Sequence, residues 1–197
     1  VVDDGTVDNA VIWVNLTDSD QDSGVTPTLS IDAGGIEDIP GNPNGAITNE
    51  ASSDGASPVV WSITSATADG TYGLLDAIDV TVNFSEAVTL AGGTVDVTLD
   101  TTDVVTIGAF VAATSGSGSY TVGTGDSSAD LDATAIVLNG GTLTDAAGNA
   151  ATVALPATTI ATSSAIVVET TAPTISTLET ADTSGNGYID RLVVTFD

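Results

Sequence analysis

Cysteine, histidine, methionine and lysine are all missing from this sequence. Because no disulfide can form, the fold has to be held by its core, hydrogen bonds, bound metal or assembly. Without histidine, cysteine or lysine, a serine nucleophile has no base, and a zinc site lacks its usual nitrogen and sulfur ligands. Paired carboxylates remain, as in glycosidases, but few aromatic residues are present to build a sugar cleft. The sequence therefore predicts a protein that is not an enzyme, and the absence of methionine predicts a mature or trimmed fragment.

Basic residues are almost absent, since Arg191 stands alone against 27 acidic residues, for a net charge of −26. A field of this sign repels the phosphates of nucleic acids and anionic membrane surfaces. No apolar run approaches the roughly 18 residues that span a bilayer. We therefore expect no nucleic-acid partner and no membrane insertion.

The acidic residues are bunched in turn sequences rather than spread evenly along the chain. Two carboxylates about 4 Å apart repel by roughly 4 kcal/mol at an effective dielectric constant near 20. Clustered acids therefore need open water or a bound cation, and hard oxygen donors favour calcium, Ca2+. Adaptation to high salt, or solubility alone, is the alternative explanation of the charge.

Short runs of alternating apolar and polar residues are what the sequence does contain. Apolar side chains recur at every second position in residues 78–84, 95–99 and 192–196, and turn-forming residues bound each run. The hydrophobic share of 42% is too high for a disordered chain, and no long stretch has the period of an amphipathic helix. These patterns predict an all-β fold of the sandwich type.

The sequence also repeats itself. Three pairs of segments match: 54–58 with 169–173, 34–42 with 140–149, and 77–84 with 188–196. Their spacing is about the length of one sandwich domain. We therefore predict tandem immunoglobulin-like β-sandwich modules, one complete and two partial: the C-terminal part of a module in 1–56, a complete module in 57–172, and the N-terminal strands of a further module in 173–197. Strands at the two cut ends need partners, from a continuing repeat array, which we favour, or from neighbouring subunits that add strands.

Several of these segments resemble the bacterial Ig-like repeat domains of large extracellular surface proteins, of the adhesin or S-layer type. The resemblance lies in 69–88, in 125–132, in Leu138-Asn-Gly-Gly-Thr-Leu-Thr-Asp-Ala-Ala-Gly-Asn149 and in Thr170-Thr-Ala-Pro173. It covers the middle module and extends into both partial ones. Asp54-Gly-Ala-Ser-Pro58 departs from the usual Thr-Ala-Pro linker. The resemblance implies an Ig-like fold, a location outside the cell at its surface, and a structural role.

The segment 182–190 is the best candidate for a calcium loop. Its oxygen donors fall at positions 1, 3, 5, 7 and 9 of an EF-hand-type loop, with Gly187 at the tight-turn position 6. These donors are Asp182, Ser184, Asn186, the Tyr188 carbonyl and Asp190. Val193 replaces the closing glutamate, so a ligand would have to come from elsewhere, such as Glu169 or Glu179. The alternative is a polar hairpin whose Asn-Gly pair makes the turn.

Three further groups of acids are weaker calcium candidates. The first group is Asp18, Asp20 and Asp22, for which a solvated loop is the alternative. The second is Asp126, Asp130 and Asp132, for which a strand that faces water is the alternative. The third is Asp69, Asp76 and Asp79 together with the linker residue Asp54, and a metal there would stiffen the joint at the entry of the middle module.

Trp13 is the candidate contact residue for a glycan or a neighbouring subunit, because it lies opposite the main apolar face of its short run. The alternative is that it covers a second layer of the sandwich. We expect a structural repeat region, in a stalk, sheath, filament or S-layer component, that calcium rigidifies and whose partners are copies of itself or neighbouring repeats. The alternative is a calcium-dependent adhesin module that binds surface glycan or protein.

Overall fold

The computed structural model describes residues 23–37 and 41–197, and their regular structure is β apart from one 3-10 turn at Ile160–Thr162. The all-β prediction is thus confirmed for this part of the chain. The strands are β1 (Thr28–Ile31), β2 (Ile47–Ala51), β3 (Val60–Thr64), β4 (Gly70–Tyr72), β5 (Ala77–Ala91), β6 (Thr94–Leu99), β7 (Val104–Ile107), β8 (Phe110–Thr121), β9 (Ser127–Ser128), β10 (Ala133–Asn139), β11 (Thr142–Thr144), β12 (Ile166–Glu169), β13 (Ile175–Ala181) and β14 (Arg191–Phe196).

The long strand β5 is the centre of the largest sheet. It pairs with β8 on one edge and with β3 and β11 on the other, all antiparallel. A second sheet has the order β10-β6-β7, and a third has the order β4-β12-β9, in which β12 and β4 run parallel. Several sheets around one core are consistent with a β-sandwich.

The core follows from the alternation in the sequence. On β5, Ile78, Val80 and Val82 are fully buried, while the residues between them are only half-buried. Residues 95, 97 and 99 of β6 are buried in the same alternating way. The resulting hydrophobic cluster begins at Val60 and ends at Val168. It lies within the segment that we predict to be a complete module, and the three module boundaries stay predictions.

The hairpin of β13 and β14 has the same pairing register as β3 with β5. Ile175 lies opposite Phe196 as Val60 lies opposite Phe84, and each register shifts before the next pair. The burial differs, because Phe196 is 57% exposed and Phe84 is 6% exposed. The hairpin thus has the local geometry of the β3–β5 pair, but it lacks the packed layers that bury the apolar side chains of β3 and β5.

A second local likeness joins the segment after β1 to the segment 140–150, which contains β11. Glu37 forms an isolated antiparallel bridge with Pro43, as Thr144 does with Ala150. Glycines at matching positions have positive φ angles of similar size: 77° at Gly34 and 70° at Gly140, and 88° at Gly41 and 95° at Gly148. The matched sequences therefore share these backbone features at the described positions.

Within the described ranges, no helix has the length and apolar character needed to cross a membrane.

Candidate metal centre

Glu86 is a buried carboxylate in the middle of β5. It occupies an inward position between Phe84 and Val88, where the alternation would place an apolar side chain, and it is 9% exposed. The pairing of β5 with β8 is interrupted between Asn83 and Val88, so Glu86 lies where the ladder opens. A buried carboxylate is costly unless it is paired, hydrogen-bonded or bound to a metal.

Two aspartates from distant parts of the chain lie beside Glu86. Asp54 comes from the linker between β2 and β3, and Asp145 from the turn after β11. One carboxylate oxygen from each of the three residues lies within 4.8 Å of the others. Asp145 is 7% exposed and Asp54 is half-buried. We call Asp54, Glu86 and Asp145 the junction cluster, because it joins the linker, the central strand and a loop.

Asn149 holds two members of the junction cluster in place. Its backbone N–H donates to Asp145 Oδ1 at 2.8 Å, and its side-chain nitrogen donates to Asp145 Oδ2 at 2.8 Å. The same nitrogen reaches the backbone carbonyl of Asp54 at 3.4 Å. The Asp54 carboxylate in turn accepts the N–H of Ala56 at 3.0 Å, which fixes the local turn of the linker.

The protonation state of Asp145 follows from these bonds. Burial raises the pKa of its carboxyl, but the hydrogen bonds from the side chain and backbone of Asn149 outweigh burial and hold the pKa below its ordinary value. Asp145 is therefore ionised at neutral pH and contributes a full negative charge to the junction cluster.

Serine hydroxyls complete the polar surroundings of Glu86. The Ser23 hydroxyl donates to Glu86 Oε1 and lies 2.8 Å from the Ser85 hydroxyl oxygen. Ser85 Oγ also accepts the N–H of Val59 at 3.0 Å, next to the linker. An open cleft lies over the cluster, lined by Gly24, Asp54, Glu86, Ala87, Ala146 and Ala147.

The three residues of the junction cluster offer a cation only oxygen ligands. Oxygen-only donor sets that carry several negative charges suit Ca2+ and Mg2+. The sequence contains no lysine or histidine, and Arg191 is exposed on β14, a strand outside the three sheets that share the core. Within the described residues this is the one group of three acids with carboxylate oxygens so close together.

The 182–190 loop is organised by its two aspartates. Asp182 accepts the N–H groups of Gly185 at 2.7 Å and Gly187 at 2.6 Å, and Asp190 accepts the N–H of Thr183 at 2.8 Å. The bond from Gly187 is the main reason that the pKa of Asp182 lies below its ordinary value, and the hydroxyl of Thr183 has the same effect on the pKa of Asp190.

Ser184 and Asn186 take part in the hydrogen bonds of the same loop. The Ser184 hydroxyl donates to Asp182 Oδ1 at 3.2 Å, and Asn186 Oδ1 accepts the N–H of Tyr188 at 2.9 Å. Glu169 accepts the N–H of Thr171 in the linker instead. Asp182, Ser184, Asn186 and Asp190 thus all take part in hydrogen bonds within this loop, and calcium binding by the loop stays a prediction.

The predicted group at the entry of the middle module is dispersed over separate backbone contacts. Asp69 accepts the N–H of Ala165 at 2.8 Å, Asp76 that of Gly73 at 2.8 Å, and Asp79 that of Ala66 at 3.3 Å. Each carboxylate thus shapes its own loop. Asp54, which the sequence pattern grouped with them, has Glu86 and Asp145 as its acidic neighbours.

Residues 126, 130 and 132 also have separate surroundings. Asp126 accepts the buried Tyr120 hydroxyl and the N–H of Gly123, both at 2.6 Å. The Tyr120 bond is the main cause that lowers the pKa of Asp126, and burial raises the pKa of Tyr120. Asp132 accepts the Thr159 hydroxyl at 3.0 Å, whereas Asp130 is exposed.

Four predicted residues lie outside the part of the chain that the structure describes: Trp13, Asp18, Asp20 and Asp22. Their roles stay predictions.

Glu86 and Asp145, in contrast, were missed as ligand candidates. The signal for Glu86 was present in the sequence, because it is the one acid at an inward position of the alternating run from Ile78 to Leu90. No comparable signal marks Asp145, which only the fold brings to the linker.

Comparisons with protein-family models, with curated proteins and with solved structures find no match to this chain.

Proposed function

We propose that this chain is a structural repeat region of an extracellular surface protein, in a stalk, sheath, filament or S-layer component. In this proposal, Ig-like β-sandwich modules follow one another in tandem, and calcium bound by the junction cluster fixes each linker to the module that follows it. The observation that carries the proposal is the position of Asp54, Glu86 and Asp145, which bring a linker, a core strand and a loop to one point.

The tandem arrangement is supported by matched local structures. The β13–β14 hairpin repeats the register of β3 with β5. Before each of these hairpins lies a linker with an acidic residue that accepts the N–H two residues later, Asp54 from Ala56 and Glu169 from Thr171. Chance would rarely reproduce a register, its irregularity and a linker turn together.

The burial of the hairpin supports the same proposal. Leu178, Val194 and Phe196 are exposed on it, and their counterparts Ile63, Val82 and Phe84 belong to the core. Exposed apolar surface of this kind marks a place where a partner packs. In a tandem array, the partner is the remainder of the next module.

Calcium is supported by charge and by donor type. Like charges about 4 Å apart repel by roughly 4 kcal/mol per pair at an effective dielectric constant near 20. A divalent cation removes this repulsion and accepts the carboxylate oxygens as ligands. Because one of these ligands belongs to the linker, a bound ion would restrict the motion of successive modules and make the array rigid.

The test is a thermal melt of the intact chain in calcium and in chelator, with calorimetric titration of Ca2+. A ligand at a hundredfold excess over its Kd stabilises the folded state by about 2.7 kcal/mol, which raises the Tm of a domain of this size by roughly 10 °C or more. Glu86→Gln and Asp145→Asn should remove most of this shift, while Asp130→Asn, an exposed acid outside the junction cluster, should retain it.

An unchanged melt, together with no heat of Ca2+ binding, would contradict the calcium part of the proposal. A glycan array addresses the structural role. A structural spacer binds no glycan, whereas specific binding that depends on calcium would favour an adhesin module.

A further inference from the structure

The chain contains three Asn-Gly pairs, at 44–45, 139–140 and 186–187. In such a pair, the glycine nitrogen can attack the side-chain amide carbon of the asparagine, because glycine has no Cβ to hinder the approach. The product is a cyclic imide that water reopens. The fold decides which of the three pairs can reach this geometry.

Two of the asparagines are held by their side-chain nitrogens. Asn44 Nδ2 donates to the backbone carbonyls of Gly45 at 2.6 Å and Asp32 at 3.2 Å, and its Oδ1 accepts an N–H at 2.9 Å. Asn139 lies in β10, paired with Thr94 of β6, and its Nδ2 donates to Asp96 Oδ2 at 2.9 Å. In both, attack would require strand or turn hydrogen bonds to break first.

Asn186 is arranged differently, in the exposed loop between β13 and β14. Its Oδ1 accepts the N–H of Tyr188 at 2.9 Å, a bond that turns the side chain back over the intervening Gly187 peptide. Among the described residues, no hydrogen bond holds the Asn186 side-chain nitrogen. The leaving group is therefore exposed to water.

Two neighbouring groups favour the attack itself. The Tyr188 N–H polarises the carbonyl of the amide under attack and stabilises the negative charge that develops on its oxygen. The Gly187 N–H donates to Asp182 Oδ2 at 2.6 Å, so a carboxylate is within reach of the proton that the nucleophilic nitrogen must lose.

We propose that Asn186 is a self-modification site, at which the chain converts its own asparagine through an imide with Gly187. The Gly187 nitrogen bonds to the Asn186 amide carbon and loses its proton to Asp182. The carbon–nitrogen bond of the amide breaks, and the departing NH2 takes that proton and leaves as ammonia. Water then adds to one imide carbonyl and protonates the nitrogen, which gives aspartate if the side-chain carbonyl is attacked and isoaspartate if the main-chain carbonyl is attacked.

Either product changes the loop. Aspartate adds a third carboxylate beside Asp182 and Asp190, at the point where the sequence places a ligand of the candidate calcium loop. Isoaspartate carries the main chain through the side-chain carbon and so lengthens the turn that sets the β13–β14 register. This inference does not depend on the proposed function, because it rests on the bonds within the loop alone.

The experiment incubates the full chain at neutral pH below its melting temperature, followed by digestion and mass spectrometry of the three Asn-Gly peptides. Replacement of the amide NH2 by OH gives a measurable mass increase. We expect Asn186 to convert at least about tenfold faster than Asn44 and Asn139, and Asp182→Asn to slow it by about a hundredfold, the lower end of the range for a positioned base. Asp190→Asn, which removes a carboxylate that does not contact Gly187, is the control.

A parallel incubation in urea separates the fold from the local sequence. The advantage of Asn186 should disappear in the unfolded chain, where all three pairs are equally free. Equal rates in the folded chain, or an advantage that persists in urea, would overturn the proposal.

Discussion

At the scale of single residues, Glu86 is the one charged side chain on the inward face of β5. Its neighbours on the inward face of β5 are apolar and buried, and an aliphatic residue would continue that pattern. Replacing a buried charge by an apolar residue of similar volume is often neutral or stabilising, whereas breaking its partner contacts is destabilising. In the proposed cation site, the Glu86 carboxylate is a ligand rather than a packing residue, and this difference can be tested by substitution.

We predict that Glu86→Leu will be more stable than the wild type in chelator, by up to about 4 kcal/mol in the free energy of unfolding, and will gain nothing from calcium. The reason is that leucine completes the core and removes one charge from the junction cluster. Urea unfolding with and without calcium measures both effects, and Glu179→Gln on exposed β13 is the control. A Glu86→Leu protein that is less stable in chelator, yet still gains stability from calcium, would disagree with this account.

The hydrogen bonds of Asp126 predict a dependence of stability on pH. The Tyr120 hydroxyl and the Gly123 N–H hold its folded-state pKa below the ordinary value of 3.8. A group with a lowered folded-state pKa contributes stability above its unfolded-state pKa, and this contribution is lost as the pH falls through the folded-state pKa. Relative to Asp126→Asn, the wild type should thus be more stable near pH 6, with a difference that shrinks below about pH 4.

Urea midpoints of the two proteins, measured at pH 6 and at several pH values below 4, give the difference directly. Because the comparison is between variants, the general relief of acidic repulsion at low pH affects both alike. A difference that grows as the pH falls would contradict the predicted sign.

At the scale of secondary-structure elements, β8 shows how two sheets are brought close together. Its sequence alternates serine and glycine, with Ser117 outward and exposed and Gly116 buried. A Cβ added to Gly118 would lie 2.6 Å from a methyl carbon of Val105 and 3.2 Å from the carbonyl oxygen of Thr106. Glycine in this strand therefore marks a close approach of another chain segment.

We predict that Gly118→Ala will destabilise the protein by about 1–3 kcal/mol, the usual range for an overpacked core. Ser117→Ala, its outward neighbour, is the matched control and should change the stability little. Thermal or urea unfolding measures both. Equal stability of Gly118→Ala and the wild type would mean that β7 can move away at no cost.

The β13–β14 hairpin should behave differently from the β3–β5 pair that it resembles. A two-stranded hairpin with no covering layer is marginally stable in water, and its apolar side chains are exposed. Amides of β14 should therefore exchange with deuterium much faster than those of residues 78–84, measured by mass spectrometry of the intact chain. Similar protection of both segments would show that something covers the hairpin. If that protection increased with protein concentration, the covering partner would be a second copy of the chain.

At the scale of the whole molecule, the net charge of −26 is the dominant property. Two explanations predict different responses to salt. General screening acts on all exposed charges and depends only on ionic strength, with a Debye length of about 8 Å at 0.15 M. A bound ion acts at one place and depends on its identity.

We predict that millimolar CaCl2 will raise the Tm well beyond NaCl of equal ionic strength, and that Asp145→Asn will reduce the calcium effect while leaving the sodium effect intact. The physical reason is that only the ion held by the junction cluster requires that carboxylate. Matched melts in the two salts measure this. Equal shifts at equal ionic strength would instead favour adaptation to salt.

The sequence by itself determined the fold class and the kind of chemistry available. Alternation with a period of two is local, so the strands around Ile78 and Val95 could be predicted from a few residues each. The segment 182–190 was likewise recognised as a polar loop from its spacing alone, because all its members are near neighbours in the chain, while calcium binding there stays a prediction. The absence of histidine, cysteine and lysine limits the metal ligands that this chain can offer to oxygen, whatever fold it adopts.

Only the tertiary structure decided which acids meet. Asp54, Glu86 and Asp145 come from a linker, a strand and a loop, and no local pattern relates them. Their proximity depends on the pairing of β11 with β5, the interruption of the β5–β8 ladder beside Glu86, and the Asn149 side chain that ties the loop to the linker. Such contacts arise when distant segments pack around a shared core, so their information lies in the fold as a whole and not in any one stretch of sequence.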